Sequence, residues 1–427
     1  MDQVKIETLC DGVEGCFIAA KHFKTFRISI SFFVPMRRET AAANALLTGI
    51  LTRASAEYPD FTAVNARLHE LYGASIYGSV SKFGDLQRVK FVISALDDRY
   101  TLQQEQISKQ AAEMLLSMLF APPLEDGLFR QADFEREKRL LIENIQSELN
   151  EKRSYAIART ESIICAGEPY GIPKYGMLED AQALTNQQAV QAWQTLLAQA
   201  FVRINVVAAA APQAVYEQVQ QQFAGIQRQV LPVTPYAPHR KNAQLKEQTE
   251  TMDVTQDKLC MAYCMDVSSD FQSRITARIM ADVLGGGPYS LCFQNVREKQ
   301  SLCYYCAARA NTQKNIVLID SGVLPQNSLQ AQQAIAQQVQ LLQDGAFTDE
   351  MLQASKMAIA DYMRTLQDSP ELIDAWYGNM VFEAPDITLS AYTDAVWKVS
   401  RQQVIQLAKT LELDTVYQLR GVQKEAE

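Results

Sequence analysis

Histidine is scarce in this chain of 427 residues, which contains only His22, His69 and His239. The compact helical metal site of many hydrolases needs two histidines four residues apart, because that spacing places both rings on one helix face. No two histidines here have that spacing, so a site of this kind is excluded. A histidine-ligated metal would need ligands from distant segments, and we therefore expect surface or capping roles for all three histidines.

The chain also lacks long apolar runs and clusters of basic residues. No uninterrupted apolar stretch approaches the roughly 18 residues of a membrane span, and the N-terminus has no basic segment followed by an apolar one, as a secretory signal would. The formal net charge of −9 disfavours nucleic acid and anionic membranes as partners, since both attract clustered Lys and Arg. We therefore expect a cytoplasmic protein without a membrane span.

Eight cysteines are scattered through the sequence, and without a secretory signal they are expected to be reduced. Cys303 and Cys306 have the spacing of a metal or redox pair, but no second pair of this type accompanies them. The segment has the pattern of a strand, in which residues three apart point to opposite faces. This pattern favours buried free thiols over a metal or redox site.

Periodicity predicts an α+β fold in which a similar order of elements occurs twice. Three prolines between residues 231 and 246 indicate an extended linker. The chain then divides into a first domain over residues 1–230, the linker 231–246, and a second domain over 247–427. The predicted strands cover residues 26–34, 74–81, 88–96, 202–209, 251–266 and 315–323. The predicted helices cover residues 40–56, 60–71, 101–121, 128–149, 186–199, 212–223, 328–344 and 348–367.

Three segments resemble the insulinase, or pitrilysin-like, family of zinc peptidases, in particular its short two-subunit branch. Residues 134–145 resemble the helix that carries the third zinc ligand of that family, and residues 167–176 resemble the loop downstream of it. The most specific match covers residues 284–304, which begin Leu-Gly-Gly-Gly-Pro-Tyr-Ser and end Ser-Leu-Cys-Tyr. The resemblance implies two homologous halves, each an antiparallel or mixed sheet packed with helices, which form a clam-shell-like chamber with a partner.

The zinc ligands of that family are missing here. Its active members carry H-x-x-E-H, in which two histidines bind zinc and the glutamate is the general base. Aligned on this sequence, the motif falls on residues 45–49, with Ala45 and Gly49 at the histidine positions and Thr48 at the glutamate position. The third ligand falls on Asn144, or on Glu143 if the alignment shifts by one residue. The resemblance therefore implies that this chain binds no zinc, while the many glutamates on these helices leave a metal site made only of carboxylates as an alternative.

Other family features are retained in the second half. The resemblance assigns Arg297 and Tyr304 to a pair that holds the substrate backbone and stabilises the oxyanion. An arginine can donate to a carbonyl and a phenol can donate to an oxyanion; the alternative is an arginine on a helix face and a tyrosine packed in a strand. Gly285, Gly286 and Gly287 are neither a phosphate loop nor a dinucleotide fingerprint. They favour a turn with close backbone approach, and the resemblance adds a substrate-guiding loop as an alternative.

These observations lead to the hypothesis of a non-catalytic bacterial subunit that is inactive alone. Its expected partner is an H-x-x-E-H subunit that holds zinc and processes peptides, and a homodimer is the alternative when that partner is absent. A non-enzymatic scaffold, or an accessory protein of a modification or peptide-maturation pathway, is the second hypothesis.

Overall fold

A computed structural model describes residues 3–421 of the chain. Its strands are β1 (Val4–Cys10), β2 (Val13–Ala19), β3 (Thr25–Pro35), β4 (Ser75–Phe83), β5 (Leu86–Leu96), β6 (Leu124–Glu125), β7 (Leu128–Phe129), β8 (Phe201–Ala208), β9 (Lys246–Met252), β10 (Asp257–Cys264), β11 (Cys303–Asn311), β12 (Ile316–Val323) and β13 (Glu412–Gly421). The α+β class predicted from the sequence is confirmed.

Each predicted helix overlaps an observed one, and the predicted helix over residues 186–199 has the observed bounds. The helices Lys152–Ile164, Leu178–Ala183, Pro370–Met380, Leu389–Lys398 and Arg401–Ala408 were not predicted. The observed helices are α1 (Arg38–Ile50), α2 (Phe61–Glu70), α3 (Ile107–Phe120), α4 (Gln131–Ser147), α5 (Lys152–Ile164), α6 (Leu178–Ala183), α7 (Asn186–Gln199), α8 (Gln213–Ala224), α9 (Phe271–Gly285), α10 (Ser328–Gln343), α11 (Asp349–Thr365), α12 (Pro370–Met380), α13 (Leu389–Lys398) and α14 (Arg401–Ala408). Among residues 3–421, no helix has the length and apolar character needed to cross a membrane.

Two compact units divide the described chain. The first contains residues 3–146, 172–235 and 364–389, and the second contains residues 147–171, 236–363 and 390–421. The linker predicted over residues 231–246 has neither helix nor strand before β9 begins. The division into domains over residues 1–230 and 247–427 stays a prediction. The compact units differ from it, because residues 147–171, with α5, belong to the second unit and residues 364–389, with α12, belong to the first.

The first unit is built on a six-stranded mixed sheet with the order β1-β2-β8-β3-β5-β4, in which only β2 and β8 are parallel. Its apolar core lies between one face of this sheet and helices that include α1, α3 and α7. The opposite face contacts α12, which reaches β3 and β8 from a position late in the sequence.

The second unit is built on a five-stranded mixed sheet with the order β11-β12-β10-β13-β9, in which only β13 and β9 are parallel. A single strand predicted over residues 251–266 proves to be two strands, β9 and β10, because residues 253–256 form a turn between them. Helix α5, from the first half of the sequence, packs against β10 and β13. Each sheet is thus covered in part by a helix from the other half of the sequence.

Candidate functional site

Helix α1 carries the positions where the zinc motif would lie, and its side chains there are apolar or small. Ala45 is buried, with an exposed fraction of 3 %. Thr48 donates its hydroxyl hydrogen bond to the carbonyl oxygen of Ala45 at 2.7 Å, within the helix. The helix approaches β4 so closely that a Cβ on Gly78 would collide with the backbone of Thr48. These positions therefore serve the packing of the helix and offer no metal ligand.

A carboxylate from α4 occupies the space beside Gly49, the second histidine position. A Cβ added to Gly49 would collide with the carboxylate of Glu137. Two guanidinium groups lie beside this carboxylate: Nε of Arg136 is 3.9 Å and Nη1 of Arg53 is 4.0 Å from Oε1 of Glu137. Nε of Arg53 also lies 2.6 Å from Oδ1 of Asp133. Burial raises the pKa of Glu137, while the charge of Arg53 opposes that rise. The residues present do not fit a zinc ion, and a guanidinium is the cation that faces the acidic side of α4.

Both candidates for the third ligand lie on α4 and are exposed. Glu143 pairs with Arg139 one turn earlier, with 3.9 Å between Nε and Oε1, and Asn144 is also on the solvent side. Among residues 3–421, the groups of three or more candidate metal ligands that lie within 4.8 Å of one another all contain His239, which is not in this region. The assignment of the third-ligand position to Asn144 stays a prediction.

Arg297 lies on a wide helical turn, the π-helix Phe293–Lys299. Segments of this kind recur at functional sites because they redirect side chains relative to an α-helix. The guanidinium of Arg297 lies over the Phe293 ring, 4.6 Å from its centroid, and its Nε is 3.6 Å from Oε1 of Glu298. The side chain is 42 % exposed. Its donors are consequently accessible to a ligand.

Tyr304 lies at an irregularity of the edge strand β11. Cys303 pairs with Val323 and Tyr305 pairs with Gly322, so Tyr304 is the extra residue of a β-bulge. Bulges re-aim side chains at sheet edges. Tyr304 is 52 % exposed, and its hydroxyl has no hydrogen-bond partner among residues 3–421. The phenol is accessible to a ligand rather than packed in the strand.

The same bulge corrects the prediction that Cys303 and Cys306 point to opposite faces. Because the bulge counts two residues of β11 against one of β12, Cys303 is opposite Val323 and Cys306 is opposite Ser321, two positions on one face. A hydrogen bond to the Cys306 thiol and burial raise the pKa of Cys303. All eight cysteines are free, as predicted.

The three glycines at the end of α9 differ in what surrounds them. A Cβ on Gly285 would lie 2.5 Å from the backbone nitrogen of Ala308 in β11, whereas Gly286 is exposed and Gly287 is half-buried. Close backbone approach therefore accounts for Gly285. A Cβ on Gly286 would also collide with Asp282. The assignment of Gly285, Gly286 and Gly287 to a substrate-guiding loop stays a prediction.

The substitution Gly285→Ala is expected to destabilise the second unit by about 1–3 kcal/mol, because the added methyl must displace the β11 backbone. The midpoint of chemical denaturation measures this effect. The matched control is Gly225→Ala, since Gly225 ends α8 and a Cβ there meets nothing closer than 4.0 Å. An equal midpoint for the two variants would refute the packing role of Gly285.

The histidines separate into two classes. His22 and His69 are exposed, as predicted, and Nε2 of His22 lies 2.8 Å from the carbonyl oxygen of Gln367. The surface role predicted for His239 is wrong, because this residue of the linker is buried among polar groups and its side chain is 2 % exposed. The sequence holds no signal for this burial, since its neighbours in the linker are mostly prolines and polar residues.

Comparisons with known proteins agree with the geometry. Residues 183–359 match the family described as "Peptidase M16 inactive domain". The chain is 24 % identical over 412 residues to the "Probable inactive metalloprotease YmfF" of Bacillus subtilis, with 96 % of both chains covered. A conserved protein from Enterococcus faecalis has the same fold, with a TM-score of 0.89, 24 % identity, and 99 % and 100 % of the two chains covered.

A second solved structure, a peptidase M16 inactive domain from Pseudomonas fluorescens, has a TM-score of 0.80 at 15 % identity over 99 % of both chains. The likeness extends over the full described chain, while the helix that would bind zinc holds Ala45, Thr48 and Gly49. Residues 183–359 therefore match the inactive domain of the M16 peptidases, and over its length the chain is similar to inactive members of that family, the insulinase or pitrilysin-like peptidases.

Proposed function

We propose that this chain is the non-catalytic subunit of a two-chain M16 peptidase, to which it contributes Arg297 and Tyr304. One observation carries the proposal: both side chains are accessible and turned outward by irregular backbone, in a chain whose own zinc positions are filled by packing. A merely structural arginine and tyrosine need neither a π-helical turn nor a bulge.

The expected partner is an M16 subunit that bears H-x-x-E-H and holds the zinc ion, which would supply an activated water. This chain would supply hydrogen-bond donors. The guanidinium of Arg297 can donate to a carbonyl of a bound peptide, and the hydroxyl of Tyr304 can donate to the oxyanion that forms when the peptide carbonyl is attacked. Both side chains would act only as hydrogen-bond donors in these roles.

The proposal assigns this chain no peptidase activity of its own. The acidic face of α4 is balanced by Arg53 through Asp133 and Glu137, and Ala45 and Gly49 cannot bind a metal. A homodimer of the chain would combine two such helices and would also be inactive.

The test is co-purification from the cytoplasmic fraction of the native host, followed by reconstitution of the purified chains. We expect a near-stoichiometric partner of similar length that bears H-x-x-E-H, and peptide hydrolysis only when both chains are present. Recovery of this chain alone, as a homodimer, or with an unrelated enzyme would reject the proposal and favour the scaffold or accessory hypothesis.

A further inference from the structure

His239 is held inside the second unit by contacts on both its backbone and its ring. Its amide donates to the carbonyl oxygen of Lys314 at 2.8 Å. On one side of the ring, Nδ1 lies 2.5 Å from Oε1 of Glu168, and the other oxygen of Glu168 accepts from Nζ of Lys314 at 2.7 Å. The ring is therefore fixed in orientation, with Nε2 directed away from Glu168.

The Nε2 side of the ring faces a carboxylate and a thiol from two neighbouring strands. Nε2 lies 3.5 Å from Oδ2 of Asp414 in β13, and Sγ of Cys264, at the end of β10, lies 3.7 Å from the same oxygen. Nε2, Sγ and the carboxylate oxygen lie within 4.8 Å of one another. Although it is buried, Nε2 has no hydrogen-bond partner. A buried polar atom without a partner requires an explanation.

Two of the three distances among these atoms fit a tetrahedral metal ion, and the third, between Nε2 and Sγ, is within 4.8 Å. Zinc binds histidine nitrogen and carboxylate oxygen at about 2.0–2.2 Å and thiolate sulfur at about 2.3 Å, so neighbouring ligand atoms in a tetrahedron lie about 3.3–3.8 Å apart. The two measured edges, 3.5 Å and 3.7 Å, lie in this range. The Nε2–Oδ2 distance is too long for a good direct hydrogen bond.

The groups around the three atoms have the arrangement found behind metal ligands. A histidine that binds a metal usually donates its second ring nitrogen to a carboxylate, and ligating carboxylates are themselves hydrogen-bonded. Glu168 is the carboxylate that contacts the second ring nitrogen, Nδ1 of His239. Asp414 is fixed by Asn242, whose side chain donates to Oδ1 at 2.8 Å and whose backbone donates to Oδ2 at 2.7 Å.

We propose that Nε2 of His239, Sγ of Cys264 and Oδ2 of Asp414 bind a divalent cation of the zinc class. A neutral imidazole, a thiolate and a carboxylate carry two negative charges together, which matches such an ion. The three ligands come from the linker and from two adjacent strands, so the ion anchors the linker to the sheet. The role is structural and does not depend on the proposed peptidase function, because the site shares no residue with α1 or with Arg297 and Tyr304.

Cobalt(II) provides the probe, because a cobalt–thiolate bond gives a charge-transfer absorption and tetrahedral cobalt gives intense visible bands. The full-length chain, reduced, free of affinity tags and treated with a chelator, is titrated with cobalt(II) and then with zinc. We expect one equivalent to bind with both absorptions, zinc to displace the cobalt, and zinc to raise the melting temperature.

Three variants make the result specific. Cys264→Ser is expected to lose the charge-transfer band and to bind cobalt at least about 10-fold more weakly. Glu168→Gln is expected to keep the band while its affinity falls about 10- to 100-fold. Cys10→Ser removes a half-buried thiol of the first unit and is expected to behave as the parent chain. The absence of a thiolate band in the parent chain, or its persistence in Cys264→Ser, would overturn the proposal. His239 would then be a buried imidazolium between Glu168 and Asp414.

Discussion

If the proposed two-chain enzyme is reconstituted, Arg297→Ala and Tyr304→Phe are each expected to lower the rate of peptide hydrolysis about 100- to 1000-fold, the usual effect of removing one donor to an oxyanion or its carbonyl precursor. The expected loss for Tyr304→Phe falls mainly on kcat, because the oxyanion exists only in the transition state. The loss for Arg297→Ala is shared with KM, since a guanidinium can also hold the ground-state peptide. Steady-state kinetics on a fixed peptide, with this chain in excess, separates the two effects.

The chain offers matched controls for both substitutions. Lys299 is an exposed cation of the same π-helix, and Tyr362 on α11 is 52 % exposed, as Tyr304 is. Lys299→Ala and Tyr362→Phe are expected to leave the rate unchanged. Rates for the two test variants equal to those of their controls, with the complex still assembled, would assign this chain a purely structural role in the pair.

The substitution Asp374→Ala is expected to destabilise the first unit by about 3–5 kcal/mol, because it leaves buried cations without their counter-charge. Asp374 on α12 is 1 % exposed. Its Oδ2 accepts from Nε of Arg27 at 2.8 Å and from Nζ of Lys90 at 2.7 Å, and its Oδ1 accepts from the Ser29 hydroxyl at 2.6 Å. One carboxylate thereby fastens α12 to the sheet. Urea denaturation followed by circular dichroism measures the loss.

The control for this substitution is Glu371→Gln on the same helix. The carboxylate of Glu371 is 56 % exposed and lies 3.5 Å from Nη1 of Arg27, so its loss should cost at most about 1 kcal/mol. Asp374→Asn keeps the shape of the side chain and serves if the alanine variant does not fold. A midpoint for either Asp374 variant equal to that of Glu371→Gln would contradict the anchoring role.

The dependence on pH gives a second signature of the same anchor. Burial opposes the ionisation of Asp374, but the charges of Lys90 and Arg27 outweigh it and lower its pKa in the folded state. A lowered pKa contributes stability that is present above the unfolded value of about 3.9 and is lost as the pH falls further. The stability difference between the parent chain and Asp374→Asn should therefore shrink below about pH 4.

Most helices and strands can be predicted from the local sequence, because apolar periodicity and capping residues indicate the same element boundaries. Helix α7, for example, begins after Thr185, which forms a capping box with Gln188. The loss of the zinc ligands was also readable from the residue types at positions 45 and 49. The prediction that the third ligand position is Asn144 has no test among the contacts described.

Features that depend on strand register or on distant segments could not be predicted. The bulge at Tyr304 exists only relative to β12, and it reversed the predicted directions of Cys303 and Cys306. The burial of His239 depends on Glu168 and Asp414, which are far away in sequence. The side chains that contact Gly49 and Asp374 likewise come from other helices and strands, so no local sequence pattern predicts these contacts.

The exchange of α5 and α12 between the halves constrains the order in which the chain can mature on the ribosome. All strands of the first sheet have been synthesised once β8 ends at Ala208. Helix α12, which binds Arg27 and Lys90 of that sheet through Asp374, begins only at Pro370, more than 150 residues later. Helix α5, in turn, is made before the strands it covers. Neither unit can reach its final packing during synthesis of the first half alone, and a cut at the proline-rich linker would yield two fragments that each lack a covering helix.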